Sequence, residues 1–114
     1  PSTQPPDTDP AGDPLAPIQV GPTGTIAAGA QSYQWQAVAD AKYYLIWVNE
    51  QGEPFVGGKI DQGYTPAEAG CADGTGVCSV TPAIQIADGG EWWVTVWTSD
   101  GAKHVSPGLQ FTIG

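Results

Sequence analysis

The chain is poor in positive charge. It has no arginine, one histidine and three lysines (Lys42, Lys59 and Lys103) against twelve acidic residues, giving a net charge of −9 in 114 residues. A phosphate backbone or an anionic bilayer is repelled by such a field, so nucleic acid and anionic membranes are excluded as expected partners. No apolar run approaches the roughly 18 residues of a membrane helix, and no secretory leader is recognisable. Methionine is absent and cysteine occurs only twice. No phosphate-cradling loop or Gly-x-Ser-x-Gly elbow occurs, and His104 stands alone beside Lys103 near a turn. Carboxylates are plentiful, yet no local motif marks Glu50, Glu53, Asp61 or Glu91 as a catalytic pair. The expectation is therefore a chain that is not an enzyme and needs no cofactor or metal.

Glycine and proline, by contrast, are abundant, and they divide the chain. Residues 1–17 hold six prolines with almost nothing apolar between them. Such a tract cannot bury enough surface to offset its ordering entropy, so 1–16 reads as a semi-rigid linker to a neighbouring, covalently attached domain. Asp7, Asp9 and Asp13 lie in it with no calcium-loop spacing, which leaves them as solvated charge. Residues 17–114 are expected to form one domain.

Within that domain the longest signal is Glu91-Trp92-Trp93-Val94-Thr95-Val96-Trp97. Aromatic and branched residues suit a pleated, half-buried surface, and successive side chains of a strand point to opposite faces. Trp92, Val94 and Val96 form the inward set; Glu91, Trp93, Thr95 and Trp97 form the outward one. Further strands are expected at 18–20, 32–37, 43–49, 55–60, 78–81 and 109–113, with a long loop at 61–76 and a turn at Asp100-Gly101. Trp35 alternates with Gln34 and Gln36 and belongs to the core, as does Trp92. No stretch reads as a helix longer than a turn. About seven short strands in about 100 residues predict an all-β, antiparallel sandwich, with a closed barrel as the other all-β option.

The spacing of Trp35, Val38-Ala39-Asp40-Ala41 and Tyr44, followed later by Ile86, Asp88-Gly89-Gly90, Trp92, Val94 and Val96, resembles a fibronectin type III-like module within the immunoglobulin-like group. Trp92 stands where that family has a tyrosine, which removes the usual tyrosine-corner hydrogen bond because an indole N–H only donates. The resemblance implies that Tyr44, Ile46 and Val48 point inward and that 43–49 lies beside the Trp-rich strand. Tyr43, Leu45, Trp47, Trp93 and Trp97 would then share one outward face. Each tryptophan or tyrosine carries about 150–250 Å², and a monomer seldom leaves so large a patch without use.

Three readings compete for that face. In the first, Tyr43, Trp47, Trp93 and Trp97 form a carbohydrate platform that stacks on sugar rings and anchors a polysaccharide-active protein, with Asn49, Glu91 and Thr95 as polar rim groups. In the second, the module is a structural spacer or adhesion unit whose aromatic face packs on a neighbouring domain or a second copy. In the third, a long loop such as 61–76 folds over the patch and covers it. The first is the expectation taken forward.

Cys71 and Cys78 bracket the Gly-rich stretch Ala72-Asp73-Gly74-Thr75-Gly76-Val77. A disulfide closing this eight-residue loop is worth about 2.5 kcal/mol in the chain-entropy account. It implies an oxidising compartment, extracellular or periplasmic. Two cysteines and one histidine are too few soft ligands for a zinc site.

Overall fold

The computed structural model describes residues 16–29, 31–50, 60–86 and 88–114. These residues build two facing, mainly antiparallel sheets, an immunoglobulin-like β-sandwich with no helix among the described residues. The first sheet is three-stranded: β1 (Gln19–Gly21), β3 (Tyr33–Gln36) and β6 (Val77–Val80), with β3 in the middle. The second has the order β2-β9-β7-β4-β5, where β2 is Gly24–Ile26, β4 Ala41–Glu50, β5 Ile60–Tyr64, β7 Gly89–Thr98 and β9 Leu109–Ile113. A short β8 (Lys103–Val105) also pairs with β7. The only parallel pairing among the described residues joins β2 to β9.

The core lies between the sheets and follows side-chain parity. Tyr33 and Trp35 from β3 meet Tyr44, Ile46 and Val48 from β4 and Trp92, Val94 and Val96 from β7, all fully buried. The Trp35 and Tyr44 rings cross edge-to-face at 5.1 Å, and Tyr33 meets Trp92 in the same way at 5.3 Å. Such contacts add about 0.5–1.5 kcal/mol each beyond area burial. The Trp92 indole donates to the Pro22 carbonyl at 3.1 Å, and Gln19 Nε2 donates to the Trp92 carbonyl at 2.7 Å, tying the sheets together through polar groups. The Tyr44 hydroxyl accepts from the Val38 amide at 3.0 Å. Burial, with Tyr64 adding to it, pushes the Tyr33 phenol well above its ordinary value.

Several expected boundaries move. The expected loop at 61–76 begins as β5, paired along β4 from Tyr44↔Tyr64 to Val48↔Ile60. It continues as one tight turn in which Thr65 and Glu68 cap each other: the Thr65 amide donates to Glu68 Oε1 and the Glu68 amide to Thr65 Oγ1. Gly70, at φ +75°, ends that turn and delivers Cys71 to Cys78 in a disulfide with Cα atoms 5.1 Å apart. Cys78 sits opposite Trp35, so the bridge is a staple on the buried side of the three-stranded sheet. The expected strand at 55–60 lies, except for Ile60, outside the described residues, as does the expected linker except for Ala16. β2 and β8 have no counterpart among the expected strands.

Candidate functional site

The outward face of the six-stranded sheet is where the expected site residues fall. β4 and β7 run antiparallel with Tyr43↔Trp97, Leu45↔Thr95, Trp47↔Trp93 and Asn49↔Glu91 as direct partners. Parity therefore sets all eight on one face, as two aromatic rows separated by Leu45 and Thr95 and ended by a polar row. The rings of Trp47 and Trp93 meet edge-to-face at 5.3 Å, and those of Tyr43 and Trp97 lie tilted at 5.9 Å.

These residues do not form an open platform. Trp47 and Trp93 are only 6% and 5% exposed and form a small cluster with Val105, outside the main core. The covering element is one that a hydropathy reading passes over. β8 pairs Thr95↔Val105 and Trp97↔Lys103, whereas β9 pairs Trp92↔Leu109, so the chain crossing from β8 to β9 carries one residue more than β7 opposite it. That extra residue is a β-bulge at Ser106-Pro107-Gly108. Pro107 has no N–H, and the buried Ser106 repairs the ladder: its amide donates to the Val94 carbonyl, its hydroxyl accepts from the Val94 amide at 2.9 Å and donates to the Pro107 carbonyl at 3.0 Å. Val105 is thereby held on the Trp pair. The backbone of Gly108 lies against Trp93, where a Cβ would come within 2.9 Å of the ring. Tyr43, 42% exposed, is the one site residue left open, with Trp97 half-buried beside it. The Tyr43 ring lies over Gly63 of β5, where a Cβ would have to push the ring aside.

The polar row ends in a hollow. Asn49, Glu91 and Gln110 are consecutive cross-strand partners on β4, β7 and β9. With Gly90, Phe111 and Thr112 they line a cavity of about 370 Å³. Neighbouring strands lie about 4.8 Å apart, so the three polar side chains span about 10 Å. The next outward position on β7 is Gly89, opposite Thr112, and it supplies no side chain to fill the space. Gly90 is required by close approach, since a Cβ there would run into the Asn49 carbonyl. Glu91 is half-buried, and its carboxylate rests on Gly108, where a Cβ would overlap Oε2. Thr112 Oγ1 and Thr25 Oγ1 share a hydrogen bond at 3.0 Å. The side chains of Asn49, Glu91 and Gln110 have no hydrogen-bond or ion-pair partner among the described residues. Asn49 and Glu91 are legible as outward polar positions in the sequence, but Gln110 and Thr112 join them only through the β7–β9 register.

The remaining acids of the loops serve their own turns. The Thr75 amide donates to Asp73 Oδ1 at 3.1 Å and holds that carboxyl below its usual range. Thr98 Oγ1 and the Ala102 amide do the same for Asp100. Among the described residues no three His, Cys, Asp or Glu side chains come together as a metal-binding group, and both cysteines are spent on the disulfide.

No protein-family model matches the chain, and no curated protein matches it. Among solved structures it is similar to a superoxide reductase (neelaredoxin) from Ignicoccus hospitalis, with 12% identity, 87% of this chain and 80% of that chain covered, and a TM-score of 0.57. It also aligns with CopC of Methylosinus trichosporium OB3b, with 20% identity, 85% and 92% covered, and a TM-score of 0.49. At such identities the shared property is the β-sandwich itself. Carbohydrate binding on an open aromatic platform is overturned by the structure: Trp47 and Trp93, two of the four platform residues, are buried. The expected β-sandwich stands on the two facing sheets of this structure, while no family model supports the finer likeness to fibronectin type III modules.

Proposed function

We propose that this chain is a non-catalytic binding module of an exported protein, and that it holds a small polar molecule or side chain in the hollow at Asn49, Glu91, Gln110 and Thr112. The observation that carries this reading is the row itself: three adjacent strands each place one polar side chain, without a partner among the described residues, at the wall of one cavity. Pockets that hold small molecules have volumes of about 300–1,000 Å³ and a few convergent polar groups on a mostly preformed apolar frame. This hollow is at the small end of that range; the backbone at Gly90 and Phe111 forms its floor, with the Phe111 ring turned into the core on the other side of the sheet. The rigid strands on which the row sits favour a preorganised site.

The disulfide fits an oxidising compartment, so the reading places the module outside the cytoplasm, secreted or periplasmic. Residues 1–16 would tether it to a neighbouring domain. The similarity in shape to a superoxide reductase gives no support for carrying redox chemistry over, since the described residues assemble no cluster of metal-ligating side chains.

The test is an amide-resolved NMR titration of the ¹⁵N-labelled chain with a fragment panel of cationic, neutral and anionic members. Saturable shifts confined to residues 49, 90, 91 and 110–112 are expected. Saturable shifts centred on Tyr43 and Trp97, or none from any fragment, would contradict the reading.

A further inference from the structure

We infer that the hollow selects a cationic ligand rich in N–H donors, a guanidinium or primary ammonium group on a small molecule or on a protein side chain; this rests on the binding-module reading above. Hydrogen-bond polarity sets the choice. Asn49 and Gln110 can each turn an oxygen or an NH₂ toward a ligand, so they accept either kind of partner. The Glu91 carboxylate can only accept. It is therefore the group that decides, and it has no ion-pair partner among the described residues. Its position is fixed from below: it lies on the bare backbone of Gly108 beside the buried Trp93 ring, so it cannot retreat into the sheet. A group entering the hollow must donate to it or leave it desolvated and unpaired, which is the costly outcome.

The charge of the whole chain points the same way. Twelve acids against three lysines attract cations over long range and repel anions. Lys103 is the cross-strand partner of Trp97, and Lys42 adjoins Tyr43, the partner of that same residue. Glu91 lies six residue steps along β7 from Trp97, about 20 Å at strand rise. Neither lysine can serve as an internal counter-ion there, and Lys59 lies outside the described residues. The cavity volume of about 370 Å³ suits a polyatomic group. A bare calcium ion needs six to eight oxygens at about 2.3–2.6 Å, and this wall offers one carboxylate. A guanidinium matches better, because its planar fork can grip the carboxylate with two parallel bonds while its remaining N–H groups reach the amide oxygens of Asn49 and Gln110.

The experiment compares n-butylguanidinium with its neutral, planar analogue N-butylurea, with butyrate and with calcium chloride, using amide NMR shifts of the wild type and Glu91→Gln. The inference predicts that butylguanidinium shifts residues 49, 91 and 110–112 and binds at least about fivefold more tightly than butylurea, a preference lost in Glu91→Gln. Raising NaCl from about 20 to about 200 mM should weaken the guanidinium and leave butylurea unchanged. Glu91→Gln is isosteric, and unchanged shifts away from the hollow will show that it is folded. If butylurea or butyrate fills the hollow as well as the guanidinium does, or the preference survives Glu91→Gln, the cation inference fails while the binding site stands. Calcium saturating the hollow in a Glu91-dependent way would replace the organic cation with a metal ion. If no probe shifts the hollow, the binding-module reading fails and takes this inference with it.

Discussion

Two aromatic pairs on one sheet face have opposite fates. Trp47–Trp93 and Tyr43–Trp97 are built by the same two strands, in the same register, with the same outward parity. The first pair is buried with Val105 and the second remains half-open. The difference lies in what the next segment of chain does. Where β8 bulges into β9, Val105 and Gly108 close against the tryptophans; at the far end Trp97 has only Lys103 as its neighbour on β8. Alternation along a strand therefore decides which face a side chain takes, while exposure on that face depends on a strand that pairs later.

The sharpest way to break the comparison is to truncate one member of each pair. Trp93→Ala should cost about 3–5 kcal/mol in urea denaturation, the usual range for removing a buried large aromatic, whereas Trp97→Ala should cost about 1 kcal/mol or less. Equal losses would mean that the two pairs are covered alike. A smaller effect is expected at the bulge that makes the difference. Ser106→Ala removes the acceptor of the Val94 amide and should cost about 1–3 kcal/mol, the penalty of an unpaired buried donor. It should also raise amide exchange at Val94 before that of the core strands; an unchanged exchange rate would show that the hydroxyl is not what holds the bulge.

The smallest effect concerns the β7–β8 turn beside the open pair. Hydrogen bonds from Thr98 and from the Ala102 amide lower the Asp100 pKa below its ordinary 3.8, with weaker help from His104. A lowered carboxyl pKa stabilises the fold above the unfolded-state value and loses that contribution as pH falls through the folded one. The turn should accordingly loosen below about pH 3.8, earlier than the Trp47–Trp93 end. Asp100→Asn should remove that acid step from the amide shifts of residues 98–102. Persistence of the step in the variant would assign it to another group.

Much of the frame was legible in the residues. Alternation marked Trp35, Trp92, Val94 and Val96 as core, the fibronectin type III-like resemblance implied that Tyr44, Ile46 and Val48 join them, and all are fully buried. The lateral pairing of β4 with β7 followed from the immunoglobulin-like spacing. What remained hidden has physical causes. Lys103-His104-Val105 carries one apolar residue, too little for a pattern, and becomes a strand only because β7 offers an unpaired edge there. Ser106-Pro107-Gly108 reads as a chain breaker, yet the Ser106 hydroxyl replaces a missing backbone partner, which depends on three-dimensional register. The Thr65-x-x-Glu68 cap is a readable signal inside a stretch that otherwise reads as loop. Glu91 and Asn49 showed their parity, but the hollow exists because Gln110 lands opposite Glu91 and Gly89 leaves a space, and neither follows from one strand alone.

The most direct test of the account measures the accessibility of each indole. In 5-fluorotryptophan-labelled protein, with resonances assigned by single Trp→Phe variants, a soluble nitroxide should broaden the ¹⁹F signal of Trp97 strongly. The signals of Trp47 and Trp93 should stay as sharp as those of the core residues Trp35 and Trp92. Broadening of Trp47 and Trp93 to the same degree as Trp97 would contradict the closed pair and restore an open aromatic face.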